Sequence, residues 1–107
     1  MGRDASQHKQ FARQALMDEI CRCLEAGRYQ PTPHAWKRMI ERQLTLPGVV
    51  YVLKHGRHAP KHDEFKDGEW RYAVVGKDLD GVKVRVAVRF DNDGCMIVTV
   101  INLDIEG

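Results

Sequence analysis

The stretch DGEWRYAVVGKDLDGVKVRVAVRFDNDG, residues 67–94, decides the fold. It holds three turn signals, Asp67-Gly68, Asp80-Gly81 and Asn92-Asp93-Gly94, about 12 to 13 residues apart. Between the last two, Val82, Val84, Val86, Val88 and Phe90 alternate with Lys83, Arg85, Ala87 and Arg89. A strict period of two places the apolar set on one face of a strand and the basic set on the other. Working outward gives strands over about 58–66, 69–77, 82–90 and 95–104. Turns this short join neighbouring antiparallel strands, so the second half of the chain reads as a meander.

The first half has a different period. Phe11, Ala15, Leu16, Ile20, Cys23 and Leu24 recur at spacings of three and four. Ser6 stands where an N-cap would, and Gly27 follows the last apolar residue, so a helix is predicted from Ser6 to about Ala26. Residues 1–5 are expected to be disordered. Thr32 and Pro33 are the N-cap and first-turn signals of a second helix reaching about Gln43, with Trp36, Met39, Ile40 and Leu44 toward the core. A third helix is predicted from Thr45 to Gly56, although VVYVL within it is β-prone and residues 47–55 also fit a strand. Helices first and strands second, without alternation, give one α+β domain: two to three N-terminal helices packed on a four-stranded antiparallel sheet.

At 107 residues the chain has room for one domain, and 43% apolar residues suffice for one core. No apolar run approaches the roughly 20 residues that span a bilayer, and the polar start lacks a secretory signal, so a cytoplasmic protein with no membrane association is expected. Cys21, Cys23 and Cys95 form no CxxC pair and read as reduced thiols. The net charge of +2 is unevenly spread. Residues 1–61 hold 11 Lys/Arg against 5 Asp/Glu, and residues 62–107 hold 6 against 10. A basic helical half suits an anionic partner such as RNA or an acidic protein, though an imbalance of this size is also ordinary.

Two groups of residues carry chemistry. His34, Arg38 and Arg42 are spaced i, i+4, i+8 and share one helix stripe, with Lys37 beside them. Guanidinium groups hold phosphate oxygens in pairs, and imidazole moves a proton near neutral pH. The same spacing also describes a solvated helix face. The second group is the polar sheet face, with Lys83, Arg85 and Arg89 on one strand and Arg71 on the strand before it. Such a face suits a metal-independent ribonuclease, and equally the wet side of any antiparallel sheet. Tyr72, opposite Arg71 in phase, reads as a packing residue; Thr99 is placed on a face with Ile97 and Ile101. His55, His58 and His62 suggest a metal site at first sight, but Pro60 breaks the helix that would align them, so exposed loop histidines are expected. Nothing in the sequence calls for a metal or cofactor.

HAWKRMIERQLT, residues 34–45, resembles the family described as domain of unknown function 4258: a His-Ala pair, then Arg-Met, then Arg, then a small apolar residue and Thr or Ser. These are His34-Ala35, Arg38-Met39, Arg42, Leu44 and Thr45. The resemblance continues through Lys54-His55-Gly56 to Ile97-Val98-Thr99-Val100 and covers roughly residues 30–103. It implies a sheet with packed helices similar to RelE and barnase-like endoribonucleases and to motility quorum-sensing regulator toxins, proteins often partnered with antitoxins. On this reading the chain is a toxin that cleaves RNA, including ribosome-bound mRNA, by attack of the 2′-OH. The family motif carries over His34, Arg38, Arg42 and Thr99, and strand geometry alone adds Arg85 and Arg71: His34 moves the proton, Arg38, Arg42 and Arg85 hold phosphate, and Lys37, Arg71, Lys83, Arg89 and Thr99 contact the RNA. The alternative is a non-catalytic RNA- or protein-binding module in which His34, Arg38 and Arg42 tie the second helix to the sheet.

Overall fold

A computed structural model describes residues 11–106. The predicted cap Ser6 and residues 1–5 lie outside them. The elements are helix α1 (Arg13–Glu25), strand β1 (Tyr29–Pro31), helices α2 (Pro33–Glu41) and α3 (Leu46–His55), strand β2 (Arg57–His58), a 3-10 turn (Pro60–His62), strands β3 (Glu64–Lys66), β4 (Glu69–Lys77), β5 (Lys83–Asp91) and β6 (Gly94–Asn102), and a short helix α4 (Leu103–Glu106). Six strands form the sheet, in the order β1-β6-β5-β4-β2, with β3 also beside β4.

Helix starts follow their caps. The Thr32 side chain accepts from the Ala35 N–H at 3.1 Å, and Thr45 accepts from the Gly48 N–H at 3.1 Å. The second cap settles the ambiguous 47–55 run as helix. From that start Val49, Val52 and Leu53 fall on one face and are fully buried, which outweighs the β propensity of the segment. Gly48 is buried there, where a Cβ would lie 3.1 Å from the Thr45 hydroxyl and 3.3 Å from the Asp78 Cβ.

One face of the sheet carries the core. Leu16, Ile20 and Cys23 of α1, Ala35 and Met39 of α2, and Val49, Val52 and Leu53 of α3 pack with Tyr72, Val74, Val84, Val86, Val88, Ile97 and Val100. The phase of α2 differs from the expected one: Ala35 and Met39 are buried, whereas Trp36 is 44% and Ile40 76% exposed. The Thr32 cap sets that phase, since its hydroxyl also donates to the Val98 carbonyl and pins the helix start to β6.

Three further features differ from the sequence reading. First, Tyr29–Pro31, between the first two predicted helices, is a strand pairing in parallel with β6, so the sheet is mixed. Second, the strand expected over 58–66 is two short strands separated by the 3-10 turn. Pro60 has no N–H to give a ladder, and the chain leaves the sheet there. Third, a bulge in β6 sets Ala87 opposite Thr99 but Val88 opposite Ile97. The extra residue, Val98, reverses the phase. Ile97 therefore points into the core while Thr99 and Ile101 line the other face. The last strand ends at Asn102 rather than Leu103 or Asp104, whose places belong to α4.

Candidate functional site

The helices cover the core face, so the outer face of β4, β5 and β6 is open. A groove of about 390 Å³ lies on it, lined by Lys61, His62, Asp63, Glu64, Ala73, Arg85, Ala87, Thr99 and Ile101. The detour at Pro60 makes its wall. Up to Ala59, whose N–H donates to the Ala73 carbonyl at 2.8 Å, the chain runs in register with β4. Residues 60–62 then rise out of the ladder. Pairing resumes at Glu64, opposite Arg71. At the gap the Asp63 side chain takes over the role of the missing strand: its Oδ1 accepts the Ala73 N–H at 2.8 Å. The lifted residues Lys61 and His62 overlook the small side chains Ala73 and Ala87, which leave the space beneath them empty.

Inside the groove, Arg85 Nη1 and His62 Nε2 are 3.4 Å apart. A guanidinium only donates, so Nε2 is the accepting nitrogen and its lone pair faces the groove cation. Desolvation first, then the charges of Arg85 and Lys61, hold the His62 imidazole below its ordinary pKa, while Asp63 pulls the other way. Neutral imidazole beside cationic groups is an arrangement that accepts a proton and holds an anion at one place. Among the described residues Arg85 is in no ion pair.

The other cations singled out from the sequence are more occupied. Arg89 pairs with Glu69 and Asp91, each at 3.4 Å. Arg71 lies 3.7 Å from Asp67 across the β3–β4 turn. Lys83 is exposed opposite Lys77 at the far end of the strands. Thr99 lines the groove, brought there by the β6 bulge.

On α2, His34 Nε2 accepts from Arg38 Nε at 3.4 Å, and Arg38 pairs with Glu41 at 2.9 Å. Arg42 forms a two-pronged pair with Glu106, through Nε to Oε1 and Nη2 to Oε2. Lys37 is exposed. The stripe is thus continuous, as the i, i+4, i+8 spacing requires. No hydrogen bond or ion pair among the described residues joins it to Arg85 or to the groove, so the four residues expected to act together fall into two places.

The histidines expected to be exposed together also separate. His55 packs on Tyr51 with ring centres 4.4 Å apart, His58 is buried against Asp63, and His62 enters the groove. No cluster of three or more His, Cys, Asp or Glu placed for a metal occurs among the described residues. His62 is a groove residue that the sequence reading took for an exposed loop histidine. Its signal was present in Pro60, whose position forces the detour, but only the strand register shows which face the detour serves. Burial drives the Cys95 thiol up to about 12, so it is a poor nucleophile. No helix among the described residues is long and apolar enough to cross a membrane.

Compared with known proteins, residues 32–102 match one family model, described as a domain of unknown function, DUF4258. Neither a curated protein nor a solved structure matches the chain.

Proposed function

The chain belongs to the DUF4258 family, and we propose that it is a metal-independent endoribonuclease of the RelE-like toxin kind, acting in the outer-face groove. The observation that carries this reading is the His62–Arg85 pair, a neutral imidazole and a guanidinium in no ion pair among the described residues, in one groove. In the reaction the phosphate draws Arg85 off His62, the RNA 2′-oxygen bonds to the adjacent phosphorus, and its proton passes to the freed His62 Nε2. The bond from phosphorus to the 5′-oxygen breaks, and that oxygen takes a proton from solvent. The products are a 2′,3′-cyclic phosphate and a 5′-hydroxyl. Arg85 and Lys61 meet the charge that grows on the phosphoryl oxygens, and Thr99 contacts the backbone from the groove floor.

This reading moves the proton-transfer role from His34 to His62. His34, Lys37 and Arg38 become a flanking surface for RNA phosphates, with Arg71, Lys83 and Arg89 at the sheet margins. Arg42 is held by Glu106 and acts in the fold. An acidic antitoxin laid over the groove would silence it, and cytoplasmic RNA, including ribosome-bound mRNA, is the substrate. The alternative of a non-catalytic RNA- or protein-binding module draws on the pairing of Arg38 and Arg42 with Glu41 and Glu106, which gives those residues structural work.

End-labelled RNA incubated with the purified chain, alone and in a translating extract, separates the two. Cleavage leaving cyclic phosphate and 5′-hydroxyl ends, reduced about 10²–10⁴-fold in a folded His62→Ala variant, is the expected result. Intact RNA in both settings, with RNA or protein still bound, would leave the binding module.

A further inference from the structure

Beneath the groove wall lies a pair that the proposed chemistry does not use. His58 and Asp63 have side chains only 2% and 1% exposed, and His58 Nε2 donates to Asp63 Oδ2 at 2.7 Å. The other carboxylate oxygen accepts the Ala73 N–H of β4. His58 belongs to β2, in register with Val74, and Asp63 follows the 3-10 turn. One buried carboxylate therefore ties both ends of the detour to the same place on β4. The four residues between, Ala59, Pro60, Lys61 and His62, form a closed loop on that base. A further N–H of His62 donates to the Ala59 carbonyl at 3.0 Å and closes the loop from inside.

We propose that His58 and Asp63 are positioning residues, a buried clamp that holds the 60–62 turn so that His62 and Lys61 stand over Arg85. Neither residue touches the reacting atoms. Their part is to fix a proton carrier that sits on an otherwise exposed loop, where a displacement of about 1 Å is enough to cost two orders of magnitude in rate. The consequence for catalysis rests on the RNA-cleavage reading; the placement of His62 does not.

The test is an NMR titration of the His62 ring in the wild type, Asp63→Ala and His58→Gln. Two effects of removing Asp63 have opposite signs. Loss of its negative charge alone lowers the His62 pKa further. Release of the turn takes His62 away from its desolvating surroundings and from Arg85, and raises the pKa toward the ordinary 6.5. The clamp predicts a rise in Asp63→Ala and little change in His58→Gln, whose amide still donates to Asp63. A further fall, or no change, in folded Asp63→Ala overturns it. Should Asp63→Ala not fold, backbone relaxation of the wild type decides: the clamp requires order parameters for Lys61 and His62 near the rigid value of about 0.85, and values under about 0.6 refute it. RNA cleavage measured on the same proteins keeps the two proposals apart. A clamped His62 in a chain that cleaves nothing sinks the ribonuclease and leaves the clamp. Cleavage that needs His62 but is undiminished in Asp63→Ala sinks the clamp and leaves the ribonuclease, whereas a loss of tenfold or more in Asp63→Ala, recovered to within about threefold in His58→Gln, supports both.

Discussion

His62 has an unusual neighbourhood for an exposed histidine, because its accepting nitrogen faces a guanidinium rather than water or a carboxylate. That placement makes its titration a direct report on the groove. In the wild type the ring should take up its proton below 6.5, and in Arg85→Met the midpoint should move upward, as followed by the ring carbon proton. Cleavage governed by neutral His62 should rise with pH through the same lowered midpoint and then level off. A second residue-scale prediction concerns Gly94, which turns β5 into β6 at φ +124°. A Cβ there would lie 2.2 Å from the Arg28 carbonyl, the group that also accepts the Cys95 N–H. Gly94→Ala must strain the backbone and break that contact, so a loss of about 2–4 kcal/mol is expected from denaturant unfolding.

Among the elements, α2 and α4 are joined by the Arg42–Glu106 pair, and Glu106 Oε1 also accepts the Asn102 N–H. The hydrogen bond from Arg42 holds the Glu106 carboxyl below its ordinary 4.5. A carboxylate with a depressed folded pKa adds stability that is present above the unfolded value and is lost as pH falls through the folded one. Thermal melts of the wild type and Glu106→Gln should differ at pH 7 and converge as the pH falls below 4.5 and through the lowered folded value. A gap that persists in acid would mean that Glu106 acts through packing alone. This pair also shows where the sequence stopped being readable. The i, i+4, i+8 stripe was visible, and so was the strand alternation of Val82 to Phe90, because both are local periods. The partner of Arg42 lies 64 residues away, and no period announces it. The β6 bulge is hidden for the same reason: Ile97 and Thr99 share a parity in sequence, and only pairing with β5 puts them on opposite faces. β1 is three residues long and pairs in parallel at an edge, too short to show alternation. The candidate site suffered most, since His34 had a helix to mark it while His62 had only Pro60.

Across the whole molecule the sheet divides the work between its faces. Three helices bury the apolar face, and the basic outer face keeps a groove whose floor is β4, β5 and β6. The two can be disturbed separately. Met39 is 1% exposed within the core, so Met39→Ala should cost about 2–5 kcal/mol of stability, measured in urea, while the His62 midpoint stays as in the wild type at temperatures where the chain is folded. The division also says where function should fail. The measurement that tests the central claim most directly is primer-extension mapping of RNA 5′ ends in cells making equal amounts of wild type, His62→Ala, Arg85→Met or His34→Ala. The account predicts discrete new ends with the wild type, their disappearance with His62→Ala and Arg85→Met, and their survival at reduced level with His34→Ala. Ends that persist undiminished in folded His62→Ala and vanish in His34→Ala would place the chemistry on α2 and contradict it.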